Sequence, residues 1–157
     1  ETGKDFEENA ILKAKNAFIK TNISSVGDDS GLIVPAINNE PGLYSARYAG
    51  LNATDSDNRN KLISKLKDNK LESTYAYFFC CIVAVGIKGQ NEIIVCDGKV
   101  EGEVRTIERG EKGFGYDPMF YPKGYSESFA ELNSLEKNKI SHRGQALKKL
   151  MDKLNKT

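Results

Sequence analysis

Two adjacent carboxylates, Asp28 and Asp29, stand in the stretch VGDDSGL between an apolar run and a Ser-Gly turn. Neighbouring carboxylates repel each other unless a cation or a proton relieves them. Magnesium, a hard ion that takes oxygen ligands, suits that role. A solvated turn is the competing reading, and on this stretch alone it is the stronger one. A second group is GEKGFGYDP, from Gly110 to Pro118. Its glycines let a backbone approach a ligand closely, and Phe114 and Tyr116 offer faces for stacking a base. Asp117 could accept hydrogen bonds from a purine edge, although Asp-Pro also makes an ordinary turn. A third group, EKNKISHR, runs from Glu136 to Arg143 just ahead of a final helix. The free amides of a helix start, with Lys137, His142 and Arg143, favour an anion. A capping Ser141 in a solvated basic turn is the alternative. Ser141 and His142 are chain neighbours and no GxSxG elbow exists, so a serine triad is excluded. Metal carboxylates, a base-stacking loop and phosphate-binding cations together make the parts needed to hydrolyse a nucleotide.

The elements that must position these residues follow from hydrophobic spacing. A helix is expected from Lys4 to about Lys20, with Phe6, Ala10, Ala14, Ala17 and Phe18 on one face. Asn9, Lys13, Asn16 and Lys20 form a polar stripe along its border. Asn22–Val26 reads as a short strand that ends at the acidic pair, where ligand sites in α/β sheets tend to lie. Leu32–Ala36 reads as a separate apolar segment. A helix capped by Thr54 or Asp55 should run to about Leu66. Thr74–Ile87 is apolar on both alternating faces, as a strand buried on both sides would be. Ile93–Ile107 continues it as the return strand of a long hairpin, interrupted by bulges at Gly98 and Gly102. The last helix is expected over Arg143–Leu154. Helices, strands and hairpin together indicate a mixed α/β domain.

Composition narrows the function classes. A chain of 157 residues, 39% hydrophobic and 29% charged, suits one globular domain. The net charge of +1, from 23 basic and 22 acidic side chains, gives no support for nucleic-acid binding. The longest apolar run, Tyr75–Ile87, is too short to span a membrane. Cys80, Cys81 and Cys96 lie in apolar, β-branched surroundings, which suggests reduced buried thiols and a cytoplasmic setting. One histidine and no CxxC make a zinc site improbable.

Read in order, ETGKDFEENAILKAK, DDSGLIV, PGLYSARYAG, GFGYDPMF, AEL and EKNKISHRGQAL resemble the inosine triphosphate pyrophosphatase family. That family hydrolyses non-standard purine nucleoside triphosphates. The resemblance implies an α/β fold with a mixed β-sheet and long hairpin flanked by helices, and a nucleotide cleft between two lobes. It implies Glu1 as an acidic magnesium ligand, with Asp28 supporting Asp29. Asp29 would be the catalytic carboxylate that binds metal and prepares the attacking water. Lys13 would bind phosphate, and Ser30 would lie near the substrate. Phe114, Gly115, Tyr116 and Asp117 would hold the base, and Lys137, His142 and Arg143 would close over base and phosphates. The implied reaction converts ITP, dITP or XTP to the monophosphate and pyrophosphate with Mg2+, in a homodimer. Members begin with a strand and an [ST]xNxxK loop, and nothing of that kind precedes Glu1. The chain is therefore expected to be a single domain, 1–157, lacking that N-terminal segment. A nucleotide-binding relative or fragment without turnover is the alternative reading.

Overall fold

The structure is a computed structural model that describes residues 2–87, 89 and 92–156. Helix α1 spans Phe6–Thr21 and is followed by strand β1, Ser25–Val34, and the short strand β2, Glu40–Pro41. Helix α2 covers Asp55–Asp68, and strands β3 and β4 cover Ser73–Val85 and Ile93–Arg105. The short strand β5, Phe120–Pro122, precedes helices α3, Ser134–Ile140, and α4, His142–Asn155. The five strands form one sheet in the order β2-β1-β3-β4-β5. The outer pairs are antiparallel, with Ile33 opposite Pro41 and Val104 opposite Phe120. The expected long hairpin is β3 and β4, consecutive in the chain and neighbours in the sheet.

Local chemistry explains the helix ends. Asp5 caps α1 by accepting the Glu8 N–H at 2.8 Å, and Asn22 closes it in the left-handed region at φ 53°. Thr54 and Asp57 form a reciprocal capping box at the start of α2. Ser141 caps α4 by accepting the Gly144 N–H at 3.1 Å, as the capping alternative for that residue anticipates. Among the described residues no helix is long and apolar enough to cross a membrane.

The chain divides into two compact units, with changes of unit inside β1, β3 and β4. The first holds Glu1–Ser30, Phe79–Lys99 and Ser141–Thr157. Its part of β3 is buried on both faces, and alternate residues serve separate cores. Cys81, Val83 and Val85 pack with Ala10 and Ala14 of α1, whereas Cys80, Ile82 and Ala84 pack with Ala146 and Leu150 of α4. The second unit, Gly31–Phe78 and Val100–Ile140, has a core of Leu32, Val34, Leu62, Leu66, Met119 and three phenylalanines. Phe78 meets Phe120 edge-on at 4.7 Å and stacks on Phe129 at 6.0 Å. Tyr48 packs into that core and donates its hydroxyl to Glu40 at 2.6 Å.

Two sequence expectations change. The acidic pair does not end a strand, because Asn22–Val26 and Leu32–Ala36 are replaced by one continuous strand, Ser25–Val34. The Asp and Ser side chains that suggest a turn are instead bonded to side chains of the flanking helices and to each other. Nor do Gly98 and Gly102 interrupt β4, which runs unbroken. A Cβ at Gly98 would sit 1.9 Å from the His142 carbonyl oxygen, and one at Gly102 would sit 2.1 Å from the Tyr121 carbonyl oxygen. These glycines admit a close backbone neighbour.

Candidate active site

In the first unit, the site starts from how closely α1 lies on β1. A Cβ at Gly27 would meet the Ala14 nitrogen at 2.6 Å and the Ala10 carbonyl at 2.7 Å, so only glycine against two alanines allows this approach. Asn9 and Lys13 are four residues apart and share the helix face above β1. Lys13 donates to Asp29 Oδ1 at 2.7 Å and to the Asp28 carbonyl at 3.0 Å. Asn9 donates to Asp29 Oδ2 at 3.1 Å and accepts the Gly3 N–H at 2.9 Å. Both carboxylate oxygens of Asp29 are thus held, and the residue is 7% exposed.

Asp28 has different partners. Arg143, in the first turn of α4, donates to its Oδ2 through Nε at 3.0 Å and Nη2 at 2.8 Å, and Ser30 donates to the same oxygen at 3.4 Å. Successive residues of a strand point to opposite faces. Asp28 therefore faces α4 while Asp29 faces α1. The two carboxylates thus have separate side-chain partners, Lys13 and Asn9 for Asp29 and Arg143 and Ser30 for Asp28. His142 is buried beside Arg143 and sets its carbonyl against Gly98. Beneath Ser30, burial pushes the Cys80 thiol above its ordinary value, against a smaller lowering by a Ser30 hydrogen bond. Burial likewise pushes Cys81 up to about 12. All three cysteines are free and buried.

In the second unit, Gly113 at φ 79° and Gly115 at φ 59° turn the aromatic loop through the left-handed region that glycine tolerates. Asp117, 3% exposed, accepts the Phe114 N–H at 2.8 Å and pairs with the ammonium of Lys137 from α3. The Lys137 nitrogen lies 4.8 Å from the Phe114 ring centre and 5.5 Å from that of Phe129, within cation–π range. Phe114 leaves 60% of its surface exposed and is available for stacking. Tyr116 is not: it is 4% exposed, sits in the core, and donates its hydroxyl to the Ser45 carbonyl at 2.8 Å. The expectation of a second stacking face is corrected here, because burial outweighs the residue's chemistry. Burial also raises the Tyr116 hydroxyl well above its ordinary value.

Glu1 lies outside the described residues. Among the described residues no group of three or more His, Cys, Asp or Glu converges as a metal cage. The carboxylates of β1 still fit magnesium, which takes one or two carboxylates and completes its shell with phosphates and water. Sequence reading passed over Asn9, whose only signal was its place four residues before Lys13 on the polar stripe. It also passed over Asp55 and Arg59, which both bond to Gly115.

Comparison with known proteins decides the family. The Ham1 family profile matches residues 1–153. The chain belongs to the Ham1 family. Relatives similar to it include the dITP/XTP pyrophosphatase of Idiomarina loihiensis, 48% identical over 99% of this chain and 77% of that protein. The dITP/XTP pyrophosphatase of Legionella pneumophila (strain Paris) is 47% identical over 96% of this chain and 77% of its own. A solved Ham1 protein from Coxiella burnetii superposes with a TM-score of 0.92 at 43% identity, covering all of this chain (100%) and 80% of that one. The Staphylococcus aureus Ham1 protein gives 0.89 at 44% identity, over 99% and 79%.

Proposed function

We propose that this chain hydrolyses non-standard purine nucleoside triphosphates, ITP, dITP and XTP, to the monophosphate and pyrophosphate, and so removes them from the nucleotide pool. The observation that carries the reading is the Lys13–Asp29–Asn9 cluster, a buried carboxylate with an ammonium in a Ham1-family chain. The names of the relatives support the substrate class.

Asp29 is the proposed base and magnesium ligand. It takes the proton of a water that attacks the α-phosphorus. The bond from that phosphorus to the bridging oxygen breaks, and pyrophosphate leaves with the bond's electron pair. Asn9 fixes the carboxylate plane. Magnesium, when bound, neutralises phosphate charge and makes the attacking water more acidic. Lys13 supplies positive charge to the phosphoryl oxygens as charge develops on them. Arg143, aimed by Asp28, supplies more, with Ser30 and His142 beside the same phosphates. Asp28 thus acts through Arg143 in this proposal.

The base is the task of the loop. Phe114 stacks on it, Gly115 brings backbone close to it, and Asp117 holds Lys137 as a donor toward a 6-oxo group. A 6-amino group offers hydrogens where an acceptor is needed, so ATP leaves a buried donor unpaired and is rejected. Tyr116 anchors the loop from below. The proposed location is the cytoplasm, where the three thiols stay reduced, and the proposed assembly is a homodimer, which sedimentation would read.

The test is product analysis in 18O-labelled water, with magnesium and with ITP, XTP, dITP, GTP or ATP. The expected result is one pyrophosphate per monophosphate from ITP, XTP and dITP, with label in the monophosphate, and little turnover of ATP. Release of orthophosphate, or binding of ITP with no hydrolysis, would contradict it.

A further inference from the structure

We propose that Asp55 and Arg59 are positioning residues for base selection, acting by clamping Gly115 from the first turns of α2. The inference rests on the proposed function of the Phe114–Asp117 loop and extends it to residues outside the loop. Asp55 accepts the Gly115 N–H at 2.7 Å, and Arg59 Nη1 donates to the Gly115 carbonyl at 2.9 Å. The two are four residues apart on one helix face, so one rigid element takes both polar groups of one glycine. Arg59 also pairs through Nε with Glu108 at 3.0 Å, near the beginning of the same loop. A single guanidinium thereby ties the entry of the loop to its apex, a task its fork of donors suits.

The apex itself offers no side chain to hold. Gly115 has no side chain, and a Cβ built there would meet nothing within 4 Å. A side chain at this point, between Phe114 and Tyr116, would therefore gain no packing, and the clamp acts on the backbone groups directly. The helix does not need the clamp for its own stability. Its start is closed independently by the Thr54–Asp57 capping box, with Asp57 Oδ2 accepting the Thr54 N–H at 2.8 Å. The side chains of Asp55 and Arg59 are thus committed to the loop, and the Arg59 side chain is only 16% exposed. Holding Gly115 sets the Phe114 ring and the neighbouring Asp117–Lys137 pair in one arrangement, and small displacements of such groups weigh heavily on discrimination.

The test compares wild type with Asp55→Ala and Arg59→Ala, both of which leave the capping box intact. Two quantities are read: kcat and KM for ITP and ATP, and amide hydrogen exchange of the 110–118 segment without nucleotide. The expected result is faster exchange confined to that segment, KM for ITP raised about tenfold with kcat nearly unchanged, and a matching fall in the ITP-over-ATP ratio. An unchanged ratio overturns the proposal, whether or not exchange rises. So does a general loss of active protein with KM and the ratio preserved, which marks a merely structural role. Should wild type hydrolyse no ITP, the proposed function fails on its own account. Exchange at 110–118 then still judges the clamp, and wild-type protection there in both variants rejects it.

Discussion

Two lysine–aspartate pairs, one in each unit, are alike on paper and unlike in setting. Lys13 with Asp29 and Lys137 with Asp117 each join an ammonium to a buried carboxylate, with side-chain exposures of 8% and 4% for the acids. The lysines differ: Lys13 is 38% exposed and Lys137 only 14%. Lys13 reaches out from a helix over a strand, and in the proposed function its exposed side lets an incoming phosphate share it with Asp29. Lys137 is enclosed by the rings of Phe114 and Phe129 and pinned by Asp117. An open pair can take part in a change of charge; a closed one can only present a fixed donor. The proposed function accordingly puts chemistry at the first pair and selection at the second.

The hardest blow to that comparison is Asp29→Asn, which keeps the shape and removes the proposed base. Turnover of ITP is expected to fall about a thousandfold with the fold retained, read as pyrophosphate release beside circular dichroism. Lys13→Ala should lower kcat about a hundredfold and reduce ITP and ATP alike, because phosphate is common to both. Phe114→Ala should leave kcat near wild type and raise KM about tenfold for every purine, since stacking on an aromatic ring is tolerant of the base. Smallest is Tyr116→Phe, which strips the buried Ser45 carbonyl of its donor. It should cost about 1–2 kcal/mol in chemical denaturation and leave the ratio of ITP to ATP turnover unmoved, as befits a core residue.

The elements with strong periodicity were legible in the sequence. The start of α2 at its Thr54 cap, the doubly buried β3 and the last helix follow from spacing and capping chemistry. Residues 25–34 were not legible as one strand, because Gly, Asp and Ser have low strand propensity and their partners on α1 and α4 lie far away in sequence. The same distance hid the separation of Asp28 from Asp29, which depends on strand pleat and so on knowing the strand. Tyr116 reads as a stacking ring by type, and only tertiary burial shows that it points inward. Asn9, Asp55 and Arg59 carried no motif of their own, since their bonds to Asp29 and Gly115 are made across 20 to 60 residues of chain.

The division of labour is tested most directly by the ratio of kcat/KM for ITP to that for ATP, measured in Lys13→Ala and Lys137→Ala under the same magnesium concentration. The account predicts a ratio close to wild type in Lys13→Ala, despite its slow turnover, and a ratio about tenfold lower in Lys137→Ala. A preserved ratio in Lys137→Ala, or a collapsed one in Lys13→Ala, would contradict it.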